Sequence, residues 1–313
     1  MIKFEEINYK TFGRCISMSN GIVELVATLD IGPRIIRYAQ IGGENFMMED
    51  ETFSHNQNKK RNIFIEKFGE ETQKTFHNLG GTRLWTSPEA YPRTYYPDME
   101  PVSYTAEGNK LTLTPPPQRW TQQQHQIEIV MAEDKAIVDV YYKVTNIGAW
   151  PQKFAPWALT VLAMGGTEVI PMPDRPTGLL SNRKIALWPY SKMNDPRVTW
   201  GDKYIFLATD ENNNRAFKLG IDSQYNWSAY FLNGNVFLKK FDIVDGAEYP
   251  DGGMIFETYV CNSFIEMESL GEYKVIEPDC SNYHHESWEI IPNLVFPGNN
   301  EENISEILSD YIK

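Results

Sequence analysis

The segment His77–Glu89 (HNLGGTRLWTSPE) carries the residues whose types and spacing most strongly suggest chemistry. A Gly-Gly pair, which can turn tightly or adopt a positive φ, is followed by a cation, a flat aromatic side chain and a carboxylate. These three are Arg83, Trp85 and Glu89. Charged side chains can bond pairs of sugar hydroxyls, and an indole can cover the apolar C–H face of a sugar ring. The alternative is a loop with an ordinary ion pair and a half-buried Trp, because short motifs give false positives.

Two glutamates lie two positions apart in the segment FIEME. Residues i and i+2 of a strand face the same side, so Glu266 and Glu268 would form a carboxylate pair. Like charge in such a pair raises the pKa of one member, which suits acid–base chemistry if the pair faces a cavity. If it faces solvent, two neighbouring carboxylates are unremarkable.

Composition excludes several classes of function. The chain has 313 residues, of which 42% are hydrophobic and 13% aromatic, so a sizeable core is available. The formal net charge of −13 argues against nucleic-acid binding, which needs Lys and Arg to neutralise phosphate. It also argues against an anionic membrane surface and otherwise serves solubility. No repeat or clean boundary divides the sequence, which predicts one domain over residues 1–313.

The cysteines and the N-terminal segment bear on location. Cys15, Cys261 and Cys280 form neither a disulfide framework nor a zinc-ligand pattern. The first residues, MIKFEEINYKTFGRC, lack the apolar run of a signal peptide, and no segment approaches membrane-spanning length. We therefore expect a cytoplasmic protein without a membrane partner. The sequence does not indicate an oligomeric state.

Short β-branched and aromatic runs, separated by Gly, Pro and Asn clusters, predict an all-β chain. The predicted strands are Gly21–Leu29, Arg34–Ile41, Lys110–Thr114, His125–Met131, Ala136–Thr145, Lys153–Ala163, Tyr204–Thr209, Arg215–Ile221, Trp227–Leu232, Val236–Phe241 and Met254–Val260. Asn233-Gly234 is a strong hairpin signal. Pro171–Pro196 has the composition of a loop, and Glu301–Ile312 predicts a C-terminal helix capped by Asn300.

The order of these segments resembles the galactose mutarotase-like, or aldose 1-epimerase-like, superfamily. The motifs that carry the resemblance are VELVATLDIGPRIIRY after Asn20-Gly21, HNLGGTRLW, Val144-Thr145-Asn146 with Gly148, and Phe264–Glu268. GGTRLW and Ala155-Pro156-Trp157 resemble an uncharacterised branch of it. The resemblance implies a large antiparallel β-supersandwich with a short C-terminal helix. It also implies a mono- or oligosaccharide as ligand.

The resemblance further implies a chemistry. Mutarotation opens a cyclic hemiacetal and recloses it on the other face, so one group takes the proton of the C1 hydroxyl while another protonates the ring oxygen. Mutarotases use a Glu as base and a His as acid, with no metal or organic cofactor. Glu266 is the first choice for the base, and Glu268 is the second because an alignment shift of two preserves the face.

The histidine half of this pattern is missing. The family's His before Gly-Gly is Leu79 here, although His77 lies two positions earlier and would face the same way on a strand. The second family His falls in the segment FAPWAL, which has none. The proton donor stays open among four candidates: His77, Glu89, Tyr91 and His125.

The expected substrate-binding residues are Arg34, Arg83, Trp85, Glu89 and Trp157. Arg34 has an alternative as a structural partner of Asp30 or Glu24. His125, in QQQHQ, is expected to be exposed. His284 and Glu286 would share a strand face, but no third ligand has convincing spacing, so we expect no metal site.

The sequence thus predicts an aldose 1-epimerase-type enzyme acting on an anomeric centre. A non-catalytic carbohydrate-binding module of the same fold is the alternative, favoured by the missing acid.

Overall fold

The computed structural model describes residues 1–54 and 76–312, and antiparallel strands make up nearly half of this part of the chain. The strands of the first half are β1 (Lys3–Asn8), β2 (Arg14–Ser19), β3 (Val23–Thr28), β4 (Ile35–Gln40), β5 (Gly81–Ser87), β6 (Ser103–Glu107), β7 (Lys110–Thr114), β8 (Gln123–Met131), β9 (Ile137–Asn146) and β10 (Gln152–Leu162). Those of the second half are β11 (Thr167–Pro171), β12 (Ile185–Leu187), β13 (Val198–Trp200), β14 (Tyr204–Ala208), β15 (Phe217–Ile221), β16 (Trp227–Leu232), β17 (Asn235–Phe241), β18 (Phe256–Val260), β19 (Ile265–Leu270), β20 (Lys274–Ile276) and β21 (Ser281–Ile291). One α-helix, α1 (Glu301–Leu308), follows the last strand in the described residues.

The strands form two large sheets. The first has the order β1-β2-β3-β4-β5-β10-β19-β18-β15-β12, with β20 paired to β10. The second has the order β13-β14-β11-β16-β17-β21-β9-β8-β7-β6. The sheets face each other across the main hydrophobic cluster, which takes residues from both, and the predicted all-β supersandwich is confirmed.

Burial patterns show which faces of the sheets are covered. In the second sheet, β8 alternates buried and partly exposed positions along its whole length, as expected when one face meets the core and the other meets water. In the first sheet, β5 and β19 are buried at every position, and β10 is buried from Phe154 onward. The centre of the first sheet is therefore covered on its outer face as well.

A buried ammonium group connects the two sheets behind this centre. Lys239 on β17 donates through Nζ to Glu286 Oε1 at 2.7 Å, to Thr160 Oγ1 at 2.7 Å and to the Met267 carbonyl at 3.1 Å. The Thr160 side chain therefore faces the second sheet, and the Met267 side chain packs in the main core between the sheets. Because strand side chains alternate, their neighbours on β10 and β19 face outward.

The helix covers part of the outer face of the second sheet. Asn300 caps it by accepting a hydrogen bond from the Asn303 backbone N–H at 3.0 Å. Ile304 and Leu308 are buried against that sheet in a separate apolar cluster with Trp227. No helix in the described residues is long and apolar enough to cross a membrane.

Local sequence signals predicted most of the strands. Asn233 and Gly234 both have positive φ, 48° and 76°, and form the predicted hairpin between β16 and β17. The sequence predicted no strand at β1, β2, β6, β11, β12, β13 or β20, which are short or carry mixed patterns, and β12 lies within the predicted loop Pro171–Pro196. The stretch after Gly80 was expected to be a turn, whereas Gly81 already opens β5.

Candidate functional site

Five neighbouring strands of the first sheet present charged and aromatic side chains on its outer face. Cross-strand pairing aligns Arg83 on β5 with Leu159 on β10, and Leu159 with Glu268 on β19. Glu268 in turn lies opposite Glu257 on β18. Directly opposed residues point to the same side of a sheet, so these side chains converge above the strands.

The Gly80-Gly81 pair positions Arg83. Their φ values are +91° and +60°, a region that favours glycine. A Cβ on Gly80 would lie 1.9 Å from the Met48 carbonyl oxygen, and one on Gly81 would lie 2.2 Å from that of Ile35. Glycine is therefore required on steric grounds as well, and the tight packing fixes the start of β5.

A cavity of about 240 Å³, here called the inner chamber, lies over these strands. The charged residues of its described lining are Arg83, Glu89, Lys218, Glu266 and Glu268. Its aromatic residues are Trp85, Tyr95, Trp157, Trp188, Tyr190 and Tyr259. The structure thus brings together six residues proposed from sequence: Arg83, Trp85, Glu89, Trp157, Glu266 and Glu268.

Glu266 is held by two polar neighbours. Arg83 Nη2 donates to Glu266 Oε1 at 3.0 Å, and Asn78 Nδ2 lies 3.5 Å from the same oxygen. Arg83 also donates to Asn78 Oδ1 at 3.3 Å. The other oxygen of Glu266 has no hydrogen bond among the described residues, and the side chain keeps a small exposure to the chamber. Its Oε2 can therefore accept a proton from a ligand, or a hydrogen bond from a ligand hydroxyl group.

Glu268 belongs to a second charged cluster, with Lys218 and Glu257. Lys218 Nζ lies 2.8 Å from Glu268 Oε2 and 2.7 Å from Glu257 Oε2. Trp157 Nε1 donates to the same Glu268 oxygen at 2.9 Å. All three charged groups are buried, and Glu268 Oε1 has no hydrogen-bond partner in the described structure.

Burial sets the protonation of this cluster. It raises the pKa of Glu268, an effect that the nearby Glu266 charge reinforces and Lys218 opposes. It also raises the pKa of Glu257. Burial alone would lower the pKa of Lys218, but the two carboxylates hold it above its usual value. One ammonium beside two buried carboxyl groups favours retention of one proton by the carboxyl pair.

Aromatic rings wall the chamber. Trp85 and Trp157 meet edge to face with centroids 5.6 Å apart, and Arg83 lies 4.2 Å from the Trp85 ring. Lys218 lies 4.6 Å from the rings of both Trp157 and Trp188. Burial raises the pKa of the Tyr190 and Tyr259 phenols, so both remain neutral hydrogen-bond donors.

A second cavity of about 440 Å³, here called the outer chamber, adjoins the first. Four residues line both: Glu89, Tyr95, Trp157 and Trp188. Glu89 is exposed at the rim and accepts a hydrogen bond from the Tyr95 hydroxyl. Tyr91, one of the proton-donor candidates, lines the outer chamber only.

Two residues expected at the site lie elsewhere. The His77 ring packs edge to face against Phe53, at 5.9 Å, and is not part of the described lining of either chamber. Asn78, one position later, reaches Glu266 instead. Arg34 lines a separate enclosed cavity and pairs with Asp98, rather than with Asp30 or Glu24. The structure therefore places His77 and Arg34 outside the described lining of both chambers.

His125 is buried, contrary to expectation. It alternates with outward-facing glutamines on β8, and burial lowers its pKa to about 4. It lines the same enclosed cavity as Arg34, away from Glu266. His284 is likewise buried, within 2.6 Å of Ser269 Oγ. Within the described part of the chain, no group of three or more His, Cys, Asp or Glu residues could hold a metal ion.

Sequence reasoning missed several residues of the cluster. Lys218 and Glu257 each stand alone in an apolar strand, in AFKLGI and MIFETYV. A lone charge inside such a run is a usable signal, because burying it requires a partner. The sequence could not show that the two partner each other.

Comparison with known proteins shows what the fold is similar to. Neither protein-family models nor curated proteins give a match to the sequence. A solved TPR-domain containing protein from Parabacteroides distasonis has a TM-score of 0.60 at 12% identity, covering 92% of this chain and 48% of that protein. This chain therefore spans about half the length of that neighbour.

Two further solved structures are galactose mutarotase-like proteins. The one from Lactobacillus casei has a TM-score of 0.55 at 9% identity, covering 88% of this chain and 99% of its own. The one from Clostridium acetobutylicum has a TM-score of 0.51 at 9% identity, covering 93% and 98% respectively. At these identities the likeness concerns the fold alone. The chain has the β-sandwich fold of galactose mutarotase-like proteins.

Proposed function

We propose that this protein binds a sugar in the inner chamber and interconverts its anomers, as an aldose 1-epimerase-type enzyme. The observation that carries the proposal is the pair Glu266 and Glu268 on one chamber floor in different environments. Glu266 is held by Arg83, whereas Glu268 is held by Lys218 and has a raised pKa. When two neighbouring carboxyl groups have different environments, one can act as the base and the other as the acid.

Glu266 is the base in this proposal. Its free Oε2 takes the proton of the C1 hydroxyl as the C1–ring oxygen bond breaks and an open-chain aldehyde forms. The ring oxygen receives a proton from the carboxyl pair of Glu268 and Glu257, which Lys218 holds together. Rotation about C1–C2 and reclosure, with each group in the reverse role, give the other anomer. No net proton or electron is consumed.

The aromatic lining supports a sugar as the ligand. Sugar rings offer apolar C–H faces to Trp157, Trp188 or Tyr95, while their hydroxyls meet the carboxylates and phenols. Both cations in the described lining of the chamber, Arg83 and Lys218, are already paired with carboxylates, so this lining offers no free positive charge for a phosphate. The fold neighbours described as galactose mutarotase-like agree with this ligand class.

Binding without turnover is the second candidate. The described lining of the inner chamber holds no histidine, the residue that the family resemblance implies as acid. A carbohydrate-binding protein of this fold would retain the same ring contacts and lack anomer exchange.

Polarimetry of freshly dissolved aldoses separates the two. We expect the protein to accelerate equilibration above the buffer rate for at least one aldose, and Glu266→Gln to lower that acceleration by about 10²–10⁴. Glu128→Gln changes an outward-facing strand glutamate of the second sheet and should have no effect. Sugar binding by calorimetry without acceleration across the panel would favour the binding protein. Activity that survives Glu266→Gln and is lost in Glu268→Gln would move the base by two residues.

A further inference from the structure

The outer chamber is the larger of the two connected cavities. It measures about 440 Å³, against about 240 Å³ for the inner chamber, and Trp157 and Trp188 line both. The two therefore form one continuous cleft that runs from the buried carboxylates to the rim. A single sugar ring seated over Glu266 would leave the larger part of this cleft unfilled.

The floor of the outer chamber has an unsatisfied polar group. Glu257 is fully buried and lines this chamber, yet its Oε1 has no hydrogen-bond partner in the described structure. The other oxygen, Oε2, is paired with Lys218 Nζ at 2.7 Å. Buried polar atoms without partners are rare and destabilising. A hydrogen bond from a ligand hydroxyl to Glu257 would remove this unfavourable state.

The rim offers the contacts that a sugar ring uses. Tyr91 is 52% exposed beside Tyr95, with ring centroids 6.0 Å apart, and Trp188 lines the same cavity. Asp251 accepts a hydrogen bond from Ser87 Oγ at 3.2 Å and keeps its other oxygen for a ligand. Aromatic faces next to carboxylates suit a polar ring with apolar C–H faces.

The negative charge of the outer chamber disfavours anionic ligands. The carboxyl groups of the outer chamber's described lining are those of Glu89, Asp251 and Glu257, and that lining holds no Lys or Arg. A phosphorylated or carboxylated sugar would therefore be repelled.

We propose that the outer chamber is a second sugar subsite, which holds an uncharged sugar unit linked to the reducing-end ring in the inner chamber. This inference rests on the proposed function and adds a substrate class to it, namely disaccharides or longer oligosaccharides. Tyr91 and Trp188 cover the faces of the second ring, and Asp251 and Glu257 accept hydrogen bonds from its hydroxyls.

Calorimetry with matched ligands tests the subsite. Maltose, cellobiose and lactose are each compared with glucose, which is the reducing-end unit of all three, and further disaccharides with their own reducing-end sugars. At least one disaccharide should bind more tightly than its monosaccharide. Tyr91→Ala should weaken that disaccharide about two- to tenfold while leaving the monosaccharide unchanged. Tyr283→Ala, at an exposed tyrosine that lines neither chamber, is the matched control.

The monosaccharide arm separates the two proposals. If monosaccharides bind while every disaccharide binds no better or is excluded, the subsite is overturned and the inner sugar site stands. If neither binds, the sugar site itself fails and the subsite fails with it. A Tyr91→Ala loss shared equally by both ligands, or no loss at all, would also contradict the placement of the second ring.

Discussion

Lys218 should be essential to the stability of the charged cluster, and Lys218→Met tests this. Methionine keeps most of the unbranched stem between Trp157 and Trp188 while removing the ammonium. The substitution leaves Glu257 and Glu268 buried beside each other without a counter-charge. The unfolded chain is not affected in this way, so the cost falls on the folded state.

The expected size of the loss follows from the contacts. At 2.7–2.8 Å, and with an effective dielectric constant of roughly 20, the contact between the ammonium and the ionised carboxylate of the pair carries about 6 kcal/mol of direct attraction. Desolvation of the three groups offsets most of this. Breaking a buried pair by removing one partner costs about 3–5 kcal/mol, and we expect Lys218→Met to fall in this range near pH 7. The loss should shrink at lower pH, because protonation neutralises the stranded carboxylates.

Urea unfolding followed by tryptophan fluorescence measures the effect as a shift in midpoint at constant slope. Lys153→Met is the matched control: its ammonium also lies 2.8 Å from a carboxylate, Glu248, but both side chains are largely open to solvent. Such exposed pairs contribute about 0–1 kcal/mol. If Lys218→Met cost no more than Lys153→Met, or if its loss did not depend on pH, the charged cluster would not be as described.

Three further substitutions test individual contributions to the stability of the fold. Gly80→Ala should cost about 2 kcal/mol or more, because positive φ adds to a clash with the Met48 carbonyl, whereas Gly21→Ala, at similar φ with open space, should cost less in the same urea assay. Burial raises the pKa of Glu168 to about 8, so the stability that Glu168 contributes should fall as the pH rises from about 4.5 to about 8. The stability difference between the wild type and Glu168→Gln should therefore change over this range, and a difference that stays constant with pH would refute the assignment. Asn300→Ala should lose about 1 kcal/mol through the helix cap, and a thermal midpoint equal to that of the wild type would show that the cap contributes nothing.

The strands that the sequence predicted are those with strong local signals. Trp227–Leu232 was predicted with the bounds that β16 has, because an apolar run ends at a hairpin dipeptide whose residues both take positive φ. The helix was predicted from its cap and apolar face, although it ends at Leu308, four residues earlier than expected. Such features depend on neighbours in sequence, so the sequence alone contains them.

The composition of the site depended on contacts between distant strands. Lys218 and Glu257 are brought together only because β15 pairs with β18, and neither strand has a motif that specifies its neighbour. His125 shows the same limit on a smaller scale. Its glutamine neighbours suggest exposure, but on β8 they alternate with it, and the fold turns His125 inward.

One predicted site residue differs from the observed one by a single position in the chain. The sequence pointed to His77 as the side chain near Gly80 that would face the site, and the structure turns Asn78 there instead. Adjacent side chains of an extended segment point to opposite sides. The sequence alone does not show which of the two faces the outer surface of the sheet.

The most direct test of a sugar site over Glu266 is a crystal structure of the protein soaked with an aldose that binds in calorimetry. We predict that the sugar lies in the inner chamber with its C1 hydroxyl about 2.6–3.2 Å from Glu266 Oε2. The ring face should lie against an indole of the chamber wall, and the ring oxygen should point toward Glu268. A sugar bound at another surface, or one bound in the chamber with C1 turned away from both glutamates, would contradict the proposed chemistry.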